Sequence, residues 1–287
     1  MLTLRGQRLL NALLAGGYTG ATLETEMGDA NAKFALRELL DGSPRHARML
    51  LANSTARTAL LGSALARGIL VECRTALAVA AKERDIILAL ASDANTRTAI
   101  NASTTALRAI ASDDGGAIAW MAQLMGVGGN FAKEPVALFR SAAAFANSAP
   151  ALFLIAVSPT LAAAMCLAGK HEGLNATIDA TLSGSALFTR IANESFADVG
   201  ANNGNREVRW QDDALMLGGS LTTVGSGGTL YLHGSHPGRS RKVVLNSSTC
   251  SESGTALSFC APRGFWYENI GGSIYFSYIA FTTYVAK

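Results

Sequence analysis

The sequence predicts an α+β fold: a solenoid-like stack of short helices through the N-terminal and central part, followed by a C-terminal antiparallel β-sandwich domain. Three observations predict it. A serine returns every nine to eleven residues through a long alanine-rich stretch, and each time it opens a short apolar segment. Such a degenerate repeat builds a long object from small units. The texture then changes: eleven of the twenty Phe, Trp and Tyr residues lie in the last 82 of the 287. Finally, hydrophobic residues make up 49% and charged residues 16%. That is too apolar for disorder and poor in charge for a monomer with a fully wet surface, so burial against further copies of the chain is expected.

Residues 1–48 are read as a small helical head. Apolar spacing marks one helix around Leu9, Leu10, Leu13 and Leu14, and another around Phe34, Leu36, Leu39 and Leu40. Gly16-Gly17 and Asp41-Gly42-Ser43-Pro44 punctuate them. Arg5, Gln7, Arg8 and Asn11 interrupt the apolar run that a secretory signal needs, so the start is read as mature protein.

Residues 49–199 carry the repeat as a shaft. Its units are NSTARTALL (53–61), GSALARGIL (62–70), ASTTALRAI (102–110), ASDDGGAIA (111–119), NSAPALFLI (147–155), VSPTLAAAM (157–165) and GSALFTRIA (184–192). A serine hydroxyl accepts from a first-turn N–H and caps a helix. Pro159 follows Ser158 at the first helical position, where its missing N–H costs nothing. Asp113 and Asp114 stand in a first turn, where the helix dipole favours negative charge. Each unit is thus about two turns of helix and a tight reversal. So short a helix is marginal alone and must stack on its neighbours. Residues 71–93 keep a continuous helical pattern and are expected to form one longer helix. Residues 126–135 are expected as a loop or hinge. The apolar stretch 149–169 approaches the length of a membrane span, but Ser158-Pro159-Thr160 divides it into two buried short helices. No membrane insertion is expected.

Residues 200–212, rich in Gly and Asn, read as a linker. Residues 213–287 then read as the β domain, with alternation in GTLYLHG, RKVVLNSST, TALSFCA and SIYFSYIAFTTYVAK. Cys73, Cys166, Cys250 and Cys260 are too few and scattered for a disulfide framework, although Cys250 and Cys260 could face each other across a hairpin.

No motif announces a reaction. No serine lies in a G-x-S-x-G elbow, and the glycine runs lack the lysine of a phosphate loop. His233 and His236 are close, but no third metal ligand accompanies them. Asp212-Asp213 and Glu252 would have to come together to make a hydrolytic carboxylate pair. The net charge of +3 is spread out, which argues against nucleic acid. No catalytic residue, cofactor or metal is therefore expected. What remains is a recognition surface. Trp266 and Tyr267 beside Arg263 suit a sugar or protein partner, through stacking and polar tips. Arg239 and Arg241, with His236 in the same loop region, suit an anionic surface glycan or phosphate.

The runs ANSTARTALLGSALARG (52–68), INASTTALRAIASD (100–113) and AVSPTLAAAMCLAG (156–169) resemble the alanine-rich helical repeats of bacteriophage tail-fibre and related virion proteins. In those proteins a small C-terminal β domain often follows the repeat. The resemblance covers residues 50–199 by motif and 206–287 by general texture. Residues 71–90 and 120–140 depart from the pattern, which leaves room for a head-fibre, decoration or adaptor role in the virion. The resemblance implies a homotrimer, made in the host cytoplasm and carried on the virion. Its N-terminal segment would dock to tail or baseplate proteins, and its C-terminal domain would meet a host surface glycan or protein. It carries over no individual binding residue.

Overall fold

The structure is a computed structural model. It describes the backbone of residues 2–128, 134–140, 143–170, 173–196 and 213–226, together with the strands at 199–202, 205–209, 229–233, 241–246, 250–256, 260–262, 264–270 and 273–287. Side chains are described for 2–128, 134–139, 144–170, 173–191, 213–218 and 282–287. The chain is α+β and divides into two compact units, Met1–Ala132 and Lys133–Lys287.

The first unit is helical: α1 Leu4–Leu14, α2 Gly20–Glu26, α3 Ala30–Asp41, α4 Pro44–Ala52, α5 Ser54–Gly62, α6 Ala64–Glu72, α7 Arg74–Lys82, α8 Arg84–Ser92, α9 Ala94–Asn101, α10 Thr104–Ala111 and α11 Asp114–Leu124. From α4 onward the N-caps fall at 43, 53, 63, 73, 83, 93, 103 and 113, a strict interval of ten. Asn53, Ser63, Cys73, Glu83 and Asp93 each close one helix and open the next from a single extended residue. The side chains of Asn53, Ser63, Asp93, Ser103 and Asp113 accept the backbone N–H three residues on, at 2.7–3.2 Å.

Two of the expected units are therefore shifted by one residue. Asn53 caps α5 in place of Ser54, and Asp113 caps α11 in place of Ser112. The expected long helix over 71–93 is also broken, at Cys73 and Glu83, into α7 and α8. Neither of those residues caps with its own side chain, so the apolar pattern runs through without a local stop. Remote groups hold the corners. Asp41 Oδ1 accepts from Thr75 N at 3.0 Å, and Arg48 pairs with Glu83 at 2.7 Å.

Helices three apart pack on one another: α1 on α4, α2 on α5, α3 on α6, α4 on α7, α6 on α9, α7 on α10 and α8 on α11. Three helices make one coil. The residue seven after each N-cap forms the central column: Leu50, Leu60, Leu70, Ala80, Leu90, Ile100, Ile110 and Trp120 are all fully buried. The residue three after it is Ala56, Ala66, Ala76 or Ala106, also fully buried. Full burial of each leucine or isoleucine contributes about 1.5–3 kcal/mol, and the alanines let neighbouring helices approach. At α11 even alanine is too large, because a Cβ on Gly116 would stand 2.6–2.9 Å from Ala81.

Polar groups tie coil to coil. Glu24 Oε2 accepts from Ser63 Oγ at 2.5 Å and from Leu65 N at 2.9 Å, and Arg37 pairs with Glu72 at 2.6 Å. Within the stack, Arg57, Arg67 and Arg97 each donate from Nη1, at 2.6 Å, to a last-turn carbonyl of the preceding helix: Leu51, Leu61 and Ala91. Those carbonyls have no partner inside their own helix. Where the repeat has Leu77, Ile87 or Leu107 at the same position, that residue is buried instead.

Residues 1–48 do not form a separate head. α1–α3 are the first coil of this stack. Thr3 donates through N and Oγ1 to Glu38, at 2.8 and 2.6 Å, and Thr19 and Thr22 form a reciprocal capping box.

The second unit holds α12 Val136–Arg140, a 3-10 turn Ala143–Asn147, α13 Ala149–Val157, α14 Pro159–Leu167 and α15 Asn175–Leu182. α13 and α14 keep the serine repeat, with Ser148 and Ser158 as caps. They meet at a 106° bend, with Leu152, Phe153, Leu154, Ile155, Leu161 and Met165 fully buried. Among the described residues no single helix is long and apolar enough to cross a membrane. The unit 184–192 is not a helix, because Phe188 opens a strand.

The strands are β1 Phe188–Phe196, β2 Val199–Asn202, β3 Asn205–Arg209, β4 Ala214–Ser226, β5 Thr229–His233, β6 Arg241–Asn246, β7 Cys250–Ala256, β8 Cys260–Pro262, β9 Gly264–Ile270 and β10 Ser273–Ala286. One antiparallel sheet runs β1-β10-β4-β7, with β2 on β10 and β8 on β4; the other runs β3-β9-β5-β6. The stretch expected as a linker, 200–212, thus contains most of β2 and all of β3. Pairing with β10 and β9 overrides the local turn chemistry of its Gly and Asn residues. The shaft expected over 49–199 is likewise divided between the two units.

Two tests follow from the stack. Arg67→Met leaves the Leu61 carbonyl without its charged donor, and urea unfolding should show a loss of about 1.5 kcal/mol; an unchanged midpoint would refute the staple. Glu24 and Glu38 are held below the usual carboxylate range by the hydrogen bonds from Ser63 and Thr3 respectively. Their contribution is complete above the ordinary glutamate value and is lost as pH falls through the depressed folded value. Glu24→Gln should lower Tm at pH 7 and flatten the decline of Tm between pH 5.5 and pH 3. A decline as steep as in the parent chain would show that Glu24 does not contribute.

Candidate functional site

Of the expected recognition residues, Trp266, Tyr267 and Arg241 lie in the four-stranded sheet. Backbone register sets Trp266 of β9 opposite His233 of β5 on one side and Glu207 of β3 on the other, and sets Arg241 of β6 opposite His233. Arg241, His233, Trp266 and Glu207 therefore occupy one cross-strand row over all four strands. Tyr267 falls in the next row, between Leu232 and Arg206. Arg263, Arg239 and His236 lie outside the described residues. His233 and Glu207 had not been singled out as binding residues alongside Trp266; only strand pairing reveals that they share its row.

The carboxylates considered for hydrolysis are not brought together. Asp213 immediately precedes β4, whereas Glu252 of β7 pairs with Thr223, ten residues further along that strand. Ten strand residues span roughly 30 Å, far beyond the ~5–9.5 Å of a glycosidase pair. Asp212 is outside the described residues. Among the described residues, no group of three or more His, Cys, Asp or Glu is placed to hold a metal ion.

Two further groups are chemically quiet. The buried Cys73 thiol is pushed up to about 12, by burial first and then by the Asp41 charge, so it is not a thiolate nucleophile. Tyr284 of β10 donates to Asp179 Oδ1 of α15 at 2.5 Å. Burial, followed by this hydrogen bond, raises its hydroxyl to about 12. It is a latch between helix and sheet, supported by Asn175 Nδ2 donating to the Gly218 carbonyl at 2.7 Å. Beside it Phe153 and Phe188 meet edge to face, with centroids 5.8 Å apart.

On the first coil there is an open groove of about 520 Å³. Leu4, Leu9, Ala12 and Ala32 line it together with Arg5, Arg8, Tyr18 and Glu26. Its polar residues come from separate helices and from the α1–α2 loop, so no single sequence motif announces it.

No protein-family model matches the chain, and no curated protein matches it.

The latch predicts opposite effects at adjacent residues. Tyr284→Phe removes the Asp179 donor and should cost about 1–2 kcal/mol in thermal unfolding. Thr283 is fully buried and its hydroxyl has no hydrogen-bond partner. Thr283→Val should therefore stabilise by about 1 kcal/mol. Destabilisation by both substitutions would overturn this assignment of roles.

Proposed function

We propose that this chain is a structural virion protein, a homotrimeric phage tail fibre or short spike. The ten-residue helical repeat carries the reading. Strict capping every ten residues and three helices per coil make a rigid spacer whose length is set by the number of units. The N-terminal coil is the attachment end, on tail or baseplate proteins. The two antiparallel sheets of the second unit form the β-sandwich, which is displayed to a host glycan or protein. The row of Arg241, His233, Trp266 and Glu207 supports the display role, since it sets an aromatic residue among charged and hydrogen-bonding ones. Under this reading the protein is a binder and not an enzyme. It takes no cofactor, binds no nucleic acid and does not insert into a membrane. Three such sites on one trimer gain on the order of 10²–10⁴ in avidity when they engage together.

The composition argument for burial between copies takes a different form here. The alanine and leucine faces of the repeat close within one chain, so a trimer seam would use other surfaces. Light scattering on the full chain should give three times the 29.8 kDa protomer. Trp266→Ala should leave that mass unchanged while reducing adsorption to host cells about tenfold or more. A monomer would sink the trimeric fibre. A trimer that labels particles but never host cells would move the protein to an adaptor or decoration role.

A further inference from the structure

The groove on the first coil combines an aliphatic floor with an unbalanced rim. Leu4 is 68% exposed, beside the buried Leu9 and Ala32. Arg5 is engaged by both Glu26 and Asp29. Arg8 is exposed and forms no ion pair among the described residues. Tyr18 keeps its proton, because burial and then the Glu26 charge raise its hydroxyl above the usual value, and it offers a neutral donor. Glu26 and Asp29 both take up Arg5, so Arg8 is the cation of the groove lining that no carboxylate answers among the described residues.

We propose that this groove docks an acidic amphipathic segment of a partner protein, with aliphatic residues on Leu4, Leu9 and Ala32 and a carboxylate on Arg8. Charge complementarity selects this occupant. A basic segment would leave Arg8 facing like charge, and a purely apolar one would cover it unpaired. The identity of the partner as a particle protein rests on the proposed function; the chemistry of the groove does not.

Three fluorescein-labelled amphipathic peptides test it, equal in length and leucine content, with Glu, Gln or Lys on the polar face. Anisotropy titrations use the full-length protein. The Glu peptide should bind about tenfold more tightly than the Gln peptide, and the Lys peptide most weakly. Arg8→Glu should abolish the preference, and Leu4→Ala should weaken binding of the Glu and Gln peptides alike. Arg84→Glu, an exposed cation on α8, should change nothing; both charge variants are checked for native circular dichroism. Equal binding of the Glu and Gln peptides overturns the proposal, as does an equal loss in Arg84→Glu, which would reveal general charge attraction. Self-association that Arg8→Glu abolishes would give the groove to a second copy and also overturn it. If the peptide preference holds but the protein is absent from particles, the virion reading fails and the groove stands.

Discussion

One extended residue in every ten turns the chain, and the rest of the first unit depends on that turn. A nine-residue helix cannot hold itself together in water, because nucleation is too costly for so few hydrogen bonds. Its stability must come from a neighbour, and the corner residue decides where the neighbour lies. A single β-region residue between two helices reverses direction without a loop, and its side chain satisfies a first-turn donor. Repeated three times, the corner returns the chain to its starting row. Helices three apart then bury their columns on each other. Corner, column and coil are one constraint seen at three scales.

The corners are not all made alike. Asn53, Ser63, Asp93, Ser103 and Asp113 cap locally. At Cys73, by contrast, Asp41 supplies the acceptor from an earlier coil. A local cap needs only its own helix, whereas a remote one needs the coils docked. The arginine staples add a second kind of closure. Each fills a vacant carbonyl at a helix C-terminus, where the dipole also favours a cation. The exposed pairs Arg37–Glu72 and Arg48–Glu83 are worth little individually at this exposure; they align coils more than they stabilise them.

Much of this was legible in the sequence, and its failures have physical causes. The serine repeat identified short capped helices because the cap residue is local. It missed the breaks at Cys73 and Glu83 because neither residue caps with its own side chain, and an apolar pattern with period 3.6 passes through such a corner unmarked. It misplaced the caps of α5 and α11 by one residue because Asn-Ser and Ser-Asp pairs offer two acceptable caps. The 200–212 segment looked like a linker because Gly and Asn carry a turn signal, whereas strand pairing is decided by partners more than fifty residues away. In the recognition region, Trp266, Tyr267 and Arg241 could be proposed from residue type. The register that adds His233 and Glu207 to the row of Trp266 belongs to the sheet and not to any local stretch.

Low charge and high alanine content need not mean burial between chains. In the first unit the repeat satisfies its own apolar demand, since each coil is both core and partner to the next. The large hydrophobics left exposed among the described residues are few: Leu4, Phe34, Met49, Leu65 and Leu167. Of these, Leu4 lies in a concave groove beside Arg8, which forms no ion pair among the described residues. An isolated surface leucine is unremarkable, but one that lines a groove with a cation at its rim is a place where another chain can both bury apolar area and answer a charge. The physical case for assembly therefore shifts from the whole repeat to particular surfaces. One is the first coil, which packs on the next and still keeps a groove open.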